Sequence, residues 1–228
     1  MQNKQRAISK DEFVNDRIEN YKVQPGDNLY IKVSSFDEKT TMLFNSSDNR
    51  YGQNTNDIGV YLSSYAVAED GSIDFPLTGK IQVQNLSIEE VKAEINKVLD
   101  EYLKENMIIV KLINFNVTLL GEVKNPGQYK VYQDKINLFE AIAMANDLGD
   151  FANRRKVKLI RQSKKGSSIH MLNLTDQNIL ESDYFYLMPN DIIYVEPLRG
   201  KQFTFANFPY SVIFSGISTL ILLLNFTK

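Results

Sequence analysis

The residues best placed to do chemistry in this chain are hydroxyls and amides, and the chemistry they offer is hydrogen bonding. Thr204, Ser211, Ser218 and Asn225 recur every seven residues, with Asn207 and Ser215 on the same side. They lie in a stretch from Gln202 to Thr227 that carries no charged side chain. Covalent chemistry is poorly supplied. The 228 residues include no cysteine and a single histidine, His170. Thiol catalysis, disulfides, cysteine-ligated zinc and His-based metal clusters are therefore absent, and no Ser-His-Asp triad is expected. The carboxylate pairs Asp70 with Asp74 and Glu89 with Glu90 have the residue types of glycoside hydrolysis. Asp70, however, precedes Gly71 in a turn dipeptide, and Glu90 stands three residues after Ser87 at a helix start. Both have structural work, so no catalytic residue, metal or cofactor is assigned, and the chain is not read as an enzyme.

A second concentration of chemistry is basic. Arg154, Arg155, Lys156, Lys158, Arg161, Lys164 and Lys165 place seven positive charges in twelve residues. Two readings stay open: a solvated strand and turn balanced by acidic neighbours, or a contact for an anionic glycan or partner through Arg154, Arg155, Lys158 and Arg161. Nucleic acid is not expected, because no stacking aromatics interleave the run and the formal net charge is −2. Tyr184, Tyr186 and Tyr194 are read as packing residues and His170 as structural.

The charge-free tail is long enough to matter for a membrane, whose hydrocarbon core of about 30 Å takes roughly 20 apolar residues as a helix. Polar side chains in lipid usually face other helices or water. Thr204, Asn207, Ser211, Ser215, Ser218 and Asn225 then become candidate pore-lining residues. Val212, Ile213, Ile217, Leu220, Leu223 and Leu224 become candidate lipid-facing ones. Leu222 interrupts the polar stripe. Pro209 cannot donate a helical hydrogen bond but is tolerated in a first turn, so the span is expected to begin near it. From there to Phe226 the helix measures about 27 Å. A plain single-span anchor and a pore-lining helix are both compatible with this pattern.

Upstream elements must position that tail. Residues 1–20 read as a polar lead-in without an apolar signal region. Leu29, Ile31 and Val33 alternate as a half-buried strand after the Pro25-Gly26-Asp27 turn. Residues 45–59 form an Asn/Ser/Gly-rich loop. A strand pair is expected to bracket Asp70-Gly71, a favoured hairpin dipeptide. Ser87 and Glu90 make a capping box for a helix whose apolar face is Ile88, Val91, Ile95, Val98 and Tyr102. Ile108 to Leu120 reads as two strands split near Asn114. A strand then ends in the Pro126-Gly127 turn, and a helix over 138–148 follows with Gly149 at its expected C-terminal cap. Strands are expected at 157–161 and 192–195, the latter fed by Pro189-Asn190-Asp191.

These motifs resemble a family. The Tyr21 to Leu29 opening, Val67 to Pro76 with Gly79, and the Leu86 to Glu90 helix start are similar to the export domain of Wza-type polysaccharide export proteins of the outer membrane. Leu120-Gly121-Glu122-Val123 with Pro126-Gly127, then Glu140-Ala141, Arg154-Arg155 before Val157, and Pro189 through Pro197 resemble that family's SLBB domain, a β-grasp module. The resemblance implies an α+β fold with a lead-in over 1–20, an export domain over 21–115 and an SLBB β-grasp domain over 116–198. A C-terminal transmembrane helix over 203–226 completes it. It further implies a homo-oligomeric ring exporting capsular or exopolysaccharide, with a periplasmic body, C-terminal helices closing an α-helical pore, and an inner-membrane co-polymerase or tyrosine autokinase as partner. Family members are typically lipoproteins, so the signal region and its lipid-bearing cysteine are expected upstream of Met1. The alternatives are a single-span, membrane-anchored glycan- or partner-binding module without a pore, and a cytosolic tail-anchored protein.

Overall fold

The computed structural model describes residues 21–45, 57–163, 166–198 and 210–226. In chain order, β1 (Asn28–Ser35) is followed by two short helices, α1 (Glu38–Phe44) and α2 (Asp57–Leu62). Then come β2 (Tyr65–Ala66), β3 (Ser72–Phe75), β4 (Gly79–Gln82), α3 (Ile88–Leu99) and β5 (Asn106–Leu112). These make the first unit, with a three-stranded antiparallel sheet in the order β2-β1-β5 and a separate β3–β4 hairpin. The second unit comprises β6 (Asn116–Gly121), β7 (Gly127–Lys130), α4 (Leu138–Met144), β8 (Ala152–Ser163), β9 (Gly166–Leu172), a 3-10 turn (Gln177–Glu181) and β10 (Ile192–Pro197).

Alternation makes β1 what it is. Leu29, Ile31 and Val33 point inward and meet Ile108 and Val110 of β5 and Val91, Ile95 and Leu99 of α3. Full burial of each such side chain contributes roughly 1.5–3 kcal/mol. The expected capping box at the start of α3 is present: Ser87 Oγ accepts from the Glu90 N–H at 3.2 Å, and the Glu90 carboxylate accepts from the Ser87 N–H at 2.7 Å. A second capping box opens α4, where Asn137 and Glu140 exchange the same pair of bonds.

The second sheet runs β7-β6-β10-β8-β9, with β10 parallel to β6 and antiparallel to β8. A hairpin, a helix, a second hairpin and a last strand inserted parallel to the first is the β-grasp arrangement expected from the motifs. Its core gathers Val117, Leu119, Leu138, Ala141, Ile142, Val157, Leu159, Ile193 and Val195.

Three expectations need correction. Asp70-Gly71 is a turn, but the strands on either side of it belong to different sheets. The hairpin is β3–β4, closed through Leu77 at φ 65°. The helix expected over 138–148 stops at Met144, capped at Ala145, because Asn146 and Asp147 take positive φ. Gly149 is therefore no cap. A Cβ there would stand 2.8 Å from Glu122 Oε1, so glycine serves close approach to that side chain. Tyr102 lies beyond the end of α3, half exposed, with its ring edge-on to Phe44 at 5.9 Å.

The tail is described only in part. Helix α5 (Tyr210–Phe226) has 17 residues, about 25 Å long, and residues 203–209 of the expected span lie outside the described residues. No helix among the described residues is long and apolar enough to cross a membrane. Of the loop expected over 45–59, residues 46–56 lie outside them as well, and 57–59 open α2 instead of continuing a loop.

Candidate functional site

The polar stripe of the tail survives folding in part. Successive residues of an α-helix turn by about 100°. Ser211, Ser215, Ser218 and Asn225 of α5 therefore fall within an arc of about 80°, opposite Val212, Ile213, Ile217, Leu220, Leu223 and Leu224. Leu222 lies inside the polar arc, as its position in the sequence indicates. Thr204 and Asn207 lie outside the described residues. No residue of α5 is buried. Neither face is buried by the described residues.

The hydroxyls are not idle. Ser215 Oγ donates to the Val212 carbonyl at 2.9 Å, Ser218 Oγ to Phe214 at 2.8 Å, and Thr219 Oγ1 to Ser215 at 2.7 Å. Each thus returns its proton to the helix backbone, which lowers the cost of placing it in an apolar medium. The hydroxyl oxygens keep acceptor capacity toward the arc. Thr219 lies about 40° outside the arc.

The basic run divides. Arg161 is committed internally: Nε donates to Asp191 Oδ1 at 2.9 Å and Nη2 to Oδ2 at 2.7 Å, with the carboxylate only 1% exposed. Its guanidinium also lies 5.7 Å from the Tyr184 ring centre, whose other neighbour is His170, stacked at 3.9 Å. Lys158 pairs with Glu196 at 2.7 Å and lies 5.8 Å from the Tyr194 ring. That pairing raises the Lys158 ammonium above its ordinary pKa and holds the Glu196 carboxylate below its own. The candidate contact therefore loses Lys158 and Arg161, whose charges are met within the unit. Arg154, Arg155 and Lys156 remain exposed and form no ion pair among the described residues. Lys164 and Lys165 lie outside them.

The carboxylates weighed for catalysis are occupied in part. Asp70 accepts from the Ser72 N–H and hydroxyl and from Lys80, which together hold it well below the usual carboxylate range. Glu90 closes the α3 cap and accepts from Lys22 at 2.7 Å, which lowers it to about 2. No group of acidic or histidine side chains among the described residues could hold a metal ion.

A feature with no sequence signal lies where the two units meet. Asn114, in the link between β5 and β6, is tied back to the first unit, accepting from the Asn28 N–H at 3.1 Å and donating to the Gly26 carbonyl at 3.3 Å. Lys111 of β5 pairs with Asp134 at 2.7 Å, and Lys130 with Asp57 at 2.7 Å, so two ion pairs cross the junction. Between these ties a cavity of about 300 Å³ opens, walled by both units. Tyr21 forms part of its wall and donates to the buried Asp27 carboxylate at 2.9 Å. Burial pushes both groups above their ordinary pKa values.

Comparison with known proteins bears on the whole. Residues 15–113 match the family described as polysaccharide biosynthesis/export protein, and residues 116–195 match the SLBB domain. Two EPS I polysaccharide export outer membrane proteins EpsA are similar. The protein from Ralstonia nicotianae (strain ATCC BAA-1114 / GMI1000) is 28% identical over 145 residues, 62% of this chain and 38% of its own. That from Ralstonia solanacearum is 27% identical over 142 residues, 60% of this chain and 37% of its own. The matched region is under two fifths of the length of these relatives.

Proposed function

The chain belongs to the Wza-type polysaccharide export proteins, with an export domain followed by one SLBB domain, and we propose that it is a subunit of an oligomeric outer-membrane translocon. In this reading the two α+β units form the periplasmic body of a homo-oligomeric ring. The C-terminal helices line an α-helical pore for capsular or exopolysaccharide. An inner-membrane co-polymerase or tyrosine autokinase meets the body from the other side.

The observation that carries the reading is α5: a charge-free helix, with a polar arc of Ser211, Ser215, Ser218 and Asn225, none of whose residues is buried by the described residues. A ring supplies partners for both faces. Uncharged hydroxyls and amides toward the lumen exchange hydrogen bonds with sugars without trapping an ionic polymer. Gly216 permits close lateral packing of helices. At about 25 Å, α5 falls short of a hydrocarbon core of about 30 Å, so this reading requires an upright helix and a thin membrane, as the bacterial outer membrane is. No chemistry is asked of the chain.

A single-span anchor without a pore draws on a different observation, the return of three hydroxyl protons to the helix backbone. Helices so satisfied need no lumen. Electron microscopy of the detergent-purified full chain separates the two. A closed ring with a central channel is expected, and a monomer in every detergent tested sinks the pore.

A further inference from the structure

We propose that the cavity between the two units is a saccharide subsite, taking one or two uncharged or amino-bearing sugar residues of the exported polymer. The proposal rests on the export reading for the identity of the polymer; its geometry does not involve α5.

The lining is mixed in a particular way. Apolar wall comes from Ile88, Val110, Leu112 and Leu187, and aromatic surface from Tyr21, Phe115 and Tyr186. Around these stand hydrogen-bonding groups: Ser87, Gln133, Asp183 and the Lys111–Asp134 pair. A pyranose has the matching surface, with an apolar ring face bounded by a belt of hydroxyls. Aromatic side chains take the face, while carboxylates and amides take the belt. At about 300 Å³ the volume lies at the lower end for small-molecule sites, which fits a sugar unit or two and not a longer segment.

Charge narrows the ligand. Among the described lining residues stand three carboxylates, Glu89, Asp134 and Asp183, the last already engaged, and two ammonium groups, Lys111 and Lys135. One ammonium, Lys111, is already tied to Asp134 at 2.7 Å. No described lining ammonium beyond Lys135 is left to meet a second negative charge, which disfavours a phosphate or an acidic peptide. The site is also built from both units: the start of α3 and the end of β5 on one side, and the loops before α4 and β10 on the other. A sugar seated there touches both and braces the junction.

The test uses the full chain in detergent and two probes: cellobiose, and oligosaccharides from partial acid hydrolysis of the producing strain's own exopolysaccharide. Saturation-transfer NMR is expected to show transfer to at least one probe. Tyr186→Ala should weaken the affinity about five- to tenfold through loss of its ring. Gln133→Ala and Asp183→Ala lie at exposed positions and keep the test independent of any folding defect at Tyr186. No transfer to either probe, or wild-type affinity in all three variants, overturns the proposal. Secretion distinguishes this failure from failure of the export reading. If removing the chain abolishes exopolysaccharide release and the wild-type gene restores it, absent binding removes only the subsite. Release that continues without the chain removes the export reading itself.

Discussion

Arg161 and Asp191, thirty residues apart in the chain, meet through two parallel hydrogen bonds, Nε to Oδ1 at 2.9 Å and Nη2 to Oδ2 at 2.7 Å. The carboxylate is buried, and the same Oδ2 accepts from the Met188 N–H at 2.8 Å. The Asp191 carbonyl in turn takes the Thr118 N–H at 2.9 Å. One bidentate pair thus fixes the turn that delivers β10 between β6 and β8, and planar guanidinium geometry is what makes it fit.

Arg161→Met therefore leaves a buried carboxylate without its counter-charge. A loss of about 3–5 kcal/mol is expected, read by urea denaturation followed by far-UV circular dichroism. Arg161→Lys should recover part of it, since a point charge cannot reproduce the fork. A loss below 1 kcal/mol in Arg161→Met would show that Arg161 is not structural and reopen it as a ligand contact.

Two glycines with the same backbone conformation should respond differently to alanine. Gly121 has φ 84°, and a Cβ would stand 2.2 Å from the Val195 carbonyl oxygen; Gly79 has φ 80° and open space. Gly79→Ala should cost about 1–2 kcal/mol, the strain of a left-handed residue. Gly121→Ala adds overpacking and should cost about 2–4 kcal/mol. Equal midpoint shifts in denaturation curves would refute this account of the β6–β10 approach.

Acid should weaken the start of α3 in a defined window. Lys22 and the Ser87 N–H lower Glu90 from 4.5 to about 2. A depressed carboxylate contributes fully above its unfolded pKa and loses that contribution as pH falls through the folded one. The melting temperature of the wild type should therefore fall between pH 4.5 and about 2 more steeply than that of Glu90→Gln. Parallel curves would remove Glu90 from the acid response.

Single cysteines report the two faces of α5, and the cysteine-free background makes each label unique. In assembled protein, Ser211→Cys, Ser215→Cys and Ser218→Cys should react with a water-soluble maleimide, and so should Leu222→Cys, which shares their arc. Ile213→Cys, Leu220→Cys and Leu224→Cys should stay unlabelled. Uniform labelling all round the helix is the outcome that defeats a lumen.

Local signals proved legible and distant ones did not. Ser87 and Glu90 announced their helix because a capping box is complete within four residues. The split of Ile108 to Leu120 near Asn114 was visible as a polar break in a β-branched run. Asp70-Gly71 advertised a turn correctly, but a turn dipeptide carries no information about which strands pair. Gly149 looked like a cap because it follows a helical pattern. Its actual reason, the Glu122 side chain, lies 27 residues earlier in the chain (149 minus 122). The seven basic residues looked like one feature, yet strand alternation and two acidic partners took Arg161 and Lys158 out of it. The cavity had no signature at all, since Tyr21, Lys111, Asp134 and Tyr186 share no local pattern.

β10 sits in the middle of its sheet, hydrogen-bonded on one side to β6 and on the other to β8, and among the described residues it is the last strand before α5. Tension drawn through the tail along this strand would load both ladders in shear. Their bonds would have to give together instead of unzipping one by one. An edge strand at this place in the chain would peel. In the proposed translocon, the tail would thus be held to the β-grasp unit by a strand that resists a pull along its own axis.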